Sequence, residues 1–387
     1  MRYRVRLYHD NFSDVHFGTQ DPKDYFEIEL VPILESLHKR ENIGIITFAG
    51  EIWEKRMSSD DPSFIYSLKF IDEIRSIVRN KSGVLAMCKG TLSHEANQYE
   101  AIKELMPDIF VFDKIGYLDY DGFIFRFIPD LSYNSYNEFK DLAFTRQADI
   151  TVMHGLIEGA LPMINAAQHV RKKEVIIKKR DLKEYTNLYT VAGHIHERLR
   201  LDQDIWYTSA LSASSYKDAN KTEFGYDSIR IFEDDEYEVF FNKNKNTRIY
   251  KKENVTQLFK NATFESVRSQ LILKKKSLLP REYVRLDIHD SSLTIDELAV
   301  LRSIKAQFGN IFDFNVIVDD IEVDDKTANT IRDDAAKILN PNIPVEEKIL
   351  ADIQDNPNIR FDLKRRLTNE KIEYYITHSI EDIVGGI

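Results

Sequence analysis

Five apolar runs in this chain each stop at a glycine or a polar turn and are soon followed by an acid or a histidine, a repetition that few folds accommodate. Tyr3 to Tyr8 leads into Phe12-Ser-Asp-Val-His-Phe-Gly18, where Asp14 and His16 stand one residue apart. Ile43-Gly-Ile-Ile-Thr-Phe-Ala-Gly50 is followed by Glu51 and Glu54, and Gly83 to Cys88 by Lys89-Gly-Thr-Leu-Ser-His-Glu95. Ala148-Asp-Ile-Thr-Val-Met153 runs into His154 and Gly155, and Asn187 to Ala192 stops at Gly193 before His194 and His196. In α/β proteins, sites form where strands end at their carboxyl termini. Five strand ends that each carry a carboxylate or an imidazole therefore predict one shared site.

The last of these segments, Val191-Ala-Gly-His-Ile-His-Glu197, shows what the spacing can do. Alternation along an extended chain puts His194 and His196 on one side and turns Ile195 the other way. Two neutral imidazoles so placed suit Zn, Mn or Fe, although two structural histidines on a strand would give the same pattern. His9, His38, His169, His289 and His378 belong to no such segment and read as surface or core residues.

Composition narrows the class. The chain of 387 residues is 43% hydrophobic, enough for a sizeable core and for two or three domains. It contains no run of eighteen apolar residues, and its first ten residues, MRYRVRLYHD, show no signal-peptide core, which predicts a soluble cytoplasmic protein. The single Cys88 excludes an internal disulfide framework and a thiolate zinc cluster. A net charge of -11 argues against a general nucleic-acid coat, because affinity for phosphate comes from Lys and Arg. The basic runs Arg171-Lys-Lys173, Lys178-Lys-Arg180, Lys243 to Lys252 and Lys274-Lys-Lys276 leave room for local contacts with DNA.

Periodicity divides the chain into three regions. Residues 1–241 alternate strands with helices at Phe26 to Lys39, Pro62 to Val78, Ala96 to Leu105 and Asn137 to Arg146, an α/β sandwich of sheets covered by helices. Asn242 to Asn254 reads as a linker. Residues 254–323 hold a strand, Tyr283 to Ile288, a helix, Ile295 to Gln307, and a strand, Asp313 to Val318, which make a small α/β module. Residues 341–387 read as a helical pair whose apolar positions are too few for a core of their own, so it is expected to dock on a partner.

The order D-x-H, G-[acid], G-x-x-x-H, H-G, G-H-x-H resembles the calcineurin-like metallophosphoesterases, specifically the SbcD-type recombination and repair nucleases and their phage counterparts. Gly50-Glu-Ile-Trp-Glu54 is similar to that family's G-D-[hydrophobic]-[aromatic]-D segment, and Tyr207-Thr-Ser-Ala-Leu-Ser212 with Gly225-Tyr226 to its Y-x-G-S loop and closing strand. The resemblance implies a sandwich of two mixed sheets flanked by helices, a DNA-capping module over 254–323, and a helical segment over 341–387 that grips an SbcC-like coiled-coil ABC-type ATPase. It also implies a homodimer that processes DNA ends without a membrane. By the same resemblance Asp14, His16 and His196 would hold one divalent metal and His154 with His194 a second, with Glu51 bridging. The metals, Mn first and Mg next, would activate water, and His94 would protonate the leaving oxygen.

Two departures fall on the site. The bridging residue of the family is Asp, and here it is Glu51. Where the family has G-N-H-[DE], this chain has Gly90-Thr-Leu-Ser-His-Glu95, so Ser93 or a water takes the place of the ligand Asn. A degenerate scaffold subunit of the same ATPase complex is the alternative, and a general phosphodiesterase or phosphatase a further one.

Overall fold

Ile45–Ala49 is a strand with every residue buried, and its alternation explains why the fold has layers. Ile45 and Ala49 face one apolar core, whereas Ile46 and Phe48 face another. A parallel strand covered on both sides reads as a continuous apolar run, which is how the sequence presents it. The structure is a computed structural model that describes residues 4–95, 98–133, 135–160, 175–289 and 293–317.

In chain order the first half comprises β1 (Val5–Phe12), α1 (Pro22–Asp24), a π-helical stretch (Tyr25–Leu30), α2 (Val31–His38), β2 (Ile45–Ala49), α3 (Pro62–Asn80) and β3 (Val84–Cys88). Next come α4 (Gln98–Leu105), β4 (Phe110–Phe112), β5 (Gly116–Tyr120), β6 (Phe123–Ile128), α5 (Tyr136–Ala143) and β7 (Ala148–His154). The second half holds α6 (Lys179–Tyr185), β8 (Thr186–Gly193), β9 (Leu199–Asp202), β10 (Ile205–Tyr207), β11 (Gly225–Phe232), β12 (Tyr237–Lys243) and β13 (Ile249–Asn254). It closes with α7 (Thr256–Phe259), α8 (Phe264–Ser277), β14 (Glu282–His289), α9 (Ile295–Phe308) and β15 (Asp313–Ile317).

The strands form two mixed six-stranded sheets, ordered β12-β11-β1-β2-β3-β4 and β5-β6-β7-β8-β10-β9. They are flanked by helices, the α/β sandwich of two mixed sheets that the sequence predicts. β1, β2, β3 and β4 run parallel, as do β6, β7, β8 and β10, with antiparallel strands added at the edges. Leu7, Ala86, Phe125, Phe127, Ile150, Val152, Val191 and Ile229 fill the space between the sheets. Ile33, Leu37, Ile71 and Ile74 of the helices cover the outer face of the first sheet, and Phe139 and Leu182 that of the second. Because β2 and β3 face β7 and β8, the carboxyl ends of both parallel sets open on a common edge.

Local chemistry sets the helix starts. Asp61 caps α3 by accepting from Ser63 N, with Pro62 at the first helical position, and Ser135 caps α5 by accepting from Glu138 N. Thr294 and Glu297 form a reciprocal capping box at the start of α9.

The chain divides into two compact units at Lys251/Lys252. The second has its own sheet, β13-β14-β15, with β14 and β15 parallel and α9 crossing between them, around a core that includes Val267, Leu286, Ile288, Leu301, Ile304 and Phe314. The expected linker over Asn242 to Asn254 is instead largely strand, the end of β12 followed by β13. β13 lies at a sheet edge, and its Lys251 and Lys252 are the charges that keep an edge from pairing further, which made its composition read as linker. Helix α8 was not anticipated. The helical pair expected over 341–387 lies outside the described residues, as does the end of the 254–323 module beyond 317. Among the described residues no helix is long and apolar enough to cross a membrane.

Candidate metal centre

The site lies where β1, β2, β3, β7 and β8 end. Asp14, His16, Glu51 and His194 all have positive φ, at 48°, 56°, 46° and 101°, and make up four of the ten non-glycine residues in that conformation among those described. Such backbone costs of order 1–3 kcal/mol per residue and persists only where the surroundings over-determine it. Here the surroundings are hydrogen bonds between turns. Asp14 N and Val15 N donate to Gly50 O and Glu51 O at 3.2 and 2.8 Å, and His194 N donates to both carboxylate oxygens of Asp14 at 3.2 and 3.0 Å. Gly50, with φ 89°, passes so close to His154 that a Cβ there would sit inside the imidazole.

Two sets of ligand atoms that share Glu51 result, each with all its atoms within 4.8 Å of one another, and a third group, His16, Glu54 and His94, meets the same distance. The first contains Asp14, His16, Glu51 and His196, and the second Glu51, His154 and His194. Glu51 belongs to both. Its Oε2 lies 3.4 Å from His16 Nε2, and its Oε1 lies 3.4 Å from His154 Nε2 and 3.4 Å from His94 Nδ1. One carboxylate thus presents a different oxygen to each set.

The imidazoles are oriented from outside. His154 Nδ1 donates to Ala49 O at 2.7 Å, His16 Nδ1 lies 2.7 Å from Glu54 Oε2, and His196 Nδ1 lies 2.9 Å from Asp218 Oδ1. A proton held on Nδ1 by an outer acceptor leaves the Nε2 lone pair facing inward, the arrangement of metal-ligating histidines. Inward the nitrogens converge. His16 Nε2 and His196 Nε2 are only 2.8 Å apart, a distance at which two lone pairs repel unless a cation or a proton lies between them. His16, His154 and Asp218 are buried, the side chains of His196 and Glu54 are 17% and 33% exposed, and His154 Nε2 has no hydrogen-bond partner. The donor set, mixed imidazole and carboxylate, is compatible with divalent cations.

The charges agree. Burial opposes an imidazolium at His16, but Glu54, Glu51 and Asp14 outweigh it and push the pKa up to about 9. Burial likewise opposes the charge on His154, yet Glu51 pushes it up to about 10. Glu51 itself is held well below the usual carboxylate range, against burial, by His154, His94 and His16. The cluster therefore recruits positive charge, and a bound divalent ion would supply it in place of protons.

His94 sits at the mouth of the site with a side chain 28% exposed, its ring 6.3 Å from that of His16. Ser93 lies in the same turn and is exposed. The residue of that turn that reaches inward is Glu95, which is buried. It accepts hydrogen bonds from Gly90 N at 2.6 Å, Trp53 N at 3.3 Å, Tyr99 Oη at 3.1 Å and Ile52 N, and burial pushes its pKa up to about 7. Trp53 and Tyr207 pack beneath the site, buried; Trp53 donates to Ser67 Oγ, and Tyr207 to Gly155 O.

Sequence reasoning left out Asp218 and passed over Glu54 as a site residue. Glu54 carried a signal, since it occupies the final acid of the G-E-x-x-E segment. Asp218 carried none, because it lies between Ser212 and Gly225 and belongs to neither quoted segment. Burial opposes its charge, but His196, Lys221 and the Ser214 N–H hold it well below the carboxylate range.

No family model matches the sequence, and no curated protein matches it. Among solved structures, one described as a novel archaeal phosphodiesterase aligns with 61% of this chain and 100% of its own, at 14% identity and a TM-score of 0.32. A second aligns with 62% of this chain and 99% of its own, at 10% identity and a TM-score of 0.37.

Proposed function

We propose that this chain is a two-metal phosphodiesterase whose substrate is DNA, the nuclease subunit of an SbcC–SbcD-like recombination and repair complex. The observation that carries the reaction class is Glu51, whose two carboxylate oxygens face separate histidine sets, with His16, His154 and His196 each held from outside so that Nε2 points inward. When bound, paired divalent ions, Mn first and Mg next, lower the pKa of a water and neutralise charge developing on phosphorus oxygens. The protein's own work is positional. Asp14, His16, Glu51 and His196 bind on one side, and Glu51, His154 and His194 on the other. His94, half-buried at the mouth, is placed to give a proton to the leaving oxygen. Lys55 and Arg56, exposed just beyond Glu54, supply cations for a phosphate backbone beside the site.

The test is incubation with linear duplex and single-stranded DNA in Mn. His94→Ala is expected to lower kcat by about 100- to 10,000-fold while leaving metal content unchanged. Absence of Mn-dependent hydrolysis of DNA in the wild type, with and without a coiled-coil ATPase, would overturn the nuclease assignment. The second reading is a scaffold subunit with weak catalysis. It is favoured by the exposure of Ser93, which stands where the resembling family has its ligand Asn. Binding of fewer than two ions per chain would support it. The ATPase is proposed to dock on residues 341–387, and a deletion from Pro341 onward is expected to keep hydrolysis and lose that partner.

A further inference from the structure

The three imidazoles held from outside do not share one kind of support. His154 leans on a main-chain carbonyl at the end of β2, and His16 on Glu54, three residues past Glu51 in the turn that Glu95 ties down. His196 lies beyond the end of β8 and leans on Asp218, which belongs to a short 3-10 turn, Tyr216–Asp218, in the irregular stretch between β10 and β11. Asp218 is 2% exposed and is the hub of that stretch. Its Oδ2 accepts from Ser214 N and Ser214 Oγ, both at 2.9 Å, while its Oδ1 faces His196 Nδ1 at 2.9 Å and accepts from Lys221 Nζ at 3.2 Å. Its backbone N–H donates to Ser215 O at 2.9 Å.

One carboxylate thus does two things at once. It fixes Ser214 through Oδ2, and through Oδ1 it holds both Lys221 and the ring that closes the first ligand set. We infer that Asp218 is a positioning residue that couples the order of the 212–221 loop to cation binding in the Asp14, His16, Glu51 and His196 set, and leaves the Glu51, His154 and His194 set independent. The coupling is reciprocal: a cation that holds His196 Nε2 fixes the ring, the ring fixes Asp218, and Asp218 fixes the loop. This inference rests on the metal reading proposed above.

The experiment is Mn titration by calorimetry combined with hydrogen exchange over residues 212–221, on full-length wild type, Asp218→Ala, Asp218→Asn and Ser214→Ala. Wild type is expected to bind two ions and to gain exchange protection in the loop when loaded. Asp218→Ala is expected to weaken one ion by about 10- to 100-fold, keep the other, and lose the Mn-dependent protection. Asp218→Asn, which retains an acceptor for His196 Nδ1, falls between, and Ser214→Ala lowers loop protection more than affinity. Should Asp218→Ala not fold, the Asn and Ser214 variants carry the same comparison. Unchanged affinity for both ions, or an equal loss at both, overturns the coupling alone. Failure of the wild type to bind Mn overturns the metal reading and the coupling together.

Discussion

Glu51 concentrates the chemistry of the site in one side chain. With φ 46° and its carboxylate 3.4 Å from nitrogens of His16, His94 and His154, it spans the two ligand sets by a residue one methylene longer than the Asp of the resembling family. Glu51→Gln removes the shared negative charge and is expected to weaken both ions, seen as loss of Mn stoichiometry in equilibrium dialysis, with activity reduced at least about 100-fold. His9 shows the opposite use of an imidazole. It is buried between the sheets, accepts from Tyr189 Oη at 2.7 Å, donates to Thr47 Oγ1 at 2.7 Å, and is kept neutral because burial lowers its pKa to about 3. Between the ordinary value of 6.5 and about 3 the unfolded chain binds a proton that the folded chain does not. The stability from neutral His9 is therefore complete above pH 6.5 and is lost as the pH falls, by up to about 1.4 kcal/mol per unit. Urea midpoints measured from pH 7 to 4 should fall less steeply for His9→Gln than for wild type.

At the scale of elements, the turns that follow β2 and β3 are tied together before any ligand is held. Glu95 receives hydrogen bonds from both turns, and Gly50 lets the β2 turn pass against His154. Gly50→Ala forces a Cβ into the His154 ring at a φ of 89°, so it is expected to displace His154 and cost about 1–3 kcal/mol. The signature would be a lower thermal midpoint together with loss of Mn from the His154 set, and a wild-type metal content would contradict the assignment. Below the site a polar chain joins the two sheets: Thr47 donates to Asn11, Asn11 to Thr208, and Thr208 and Trp206 to Asp227. Both of the last bonds go to Asp227 Oδ2, and Oδ1 lies 3.4 Å from Arg198 Nε, so the buried carboxylate is balanced by a cation as well as by donors. The strands themselves were legible because each is an apolar run with a stop. β5, β9 and β13 were not, since edge strands such as Leu199–Asp202 carry mixed polarity and bury little.

For the whole molecule, the two units have separate cores, one set of clusters around the two six-stranded sheets and another around β14 and α9. Calorimetry is expected to resolve two unfolding transitions, and Mn to raise only the one belonging to residues 1–251. At one hundred times its dissociation constant a single ion stabilises by about 2.7 kcal/mol, enough to shift a midpoint by several degrees. A single transition that moves as a whole on addition of Mn would contradict this.

Which residue types stand at the ends of which strands is a local property of the chain. An apolar run, a glycine stop and the histidine beyond it are all local, and a strand with its turn forms from local preferences. The layered α/β class is legible in the same way, because alternation of strand and helix periods is a property of neighbouring residues. How those ends are grouped is a matter of packing in three dimensions. His16 and His196 are 180 residues apart and their Nε2 atoms 2.8 Å apart, and Asp218 reaches His196 from a loop with no motif of its own. Coordination depends on distance in space between side chains of different sheets, and no periodicity along the chain encodes that distance.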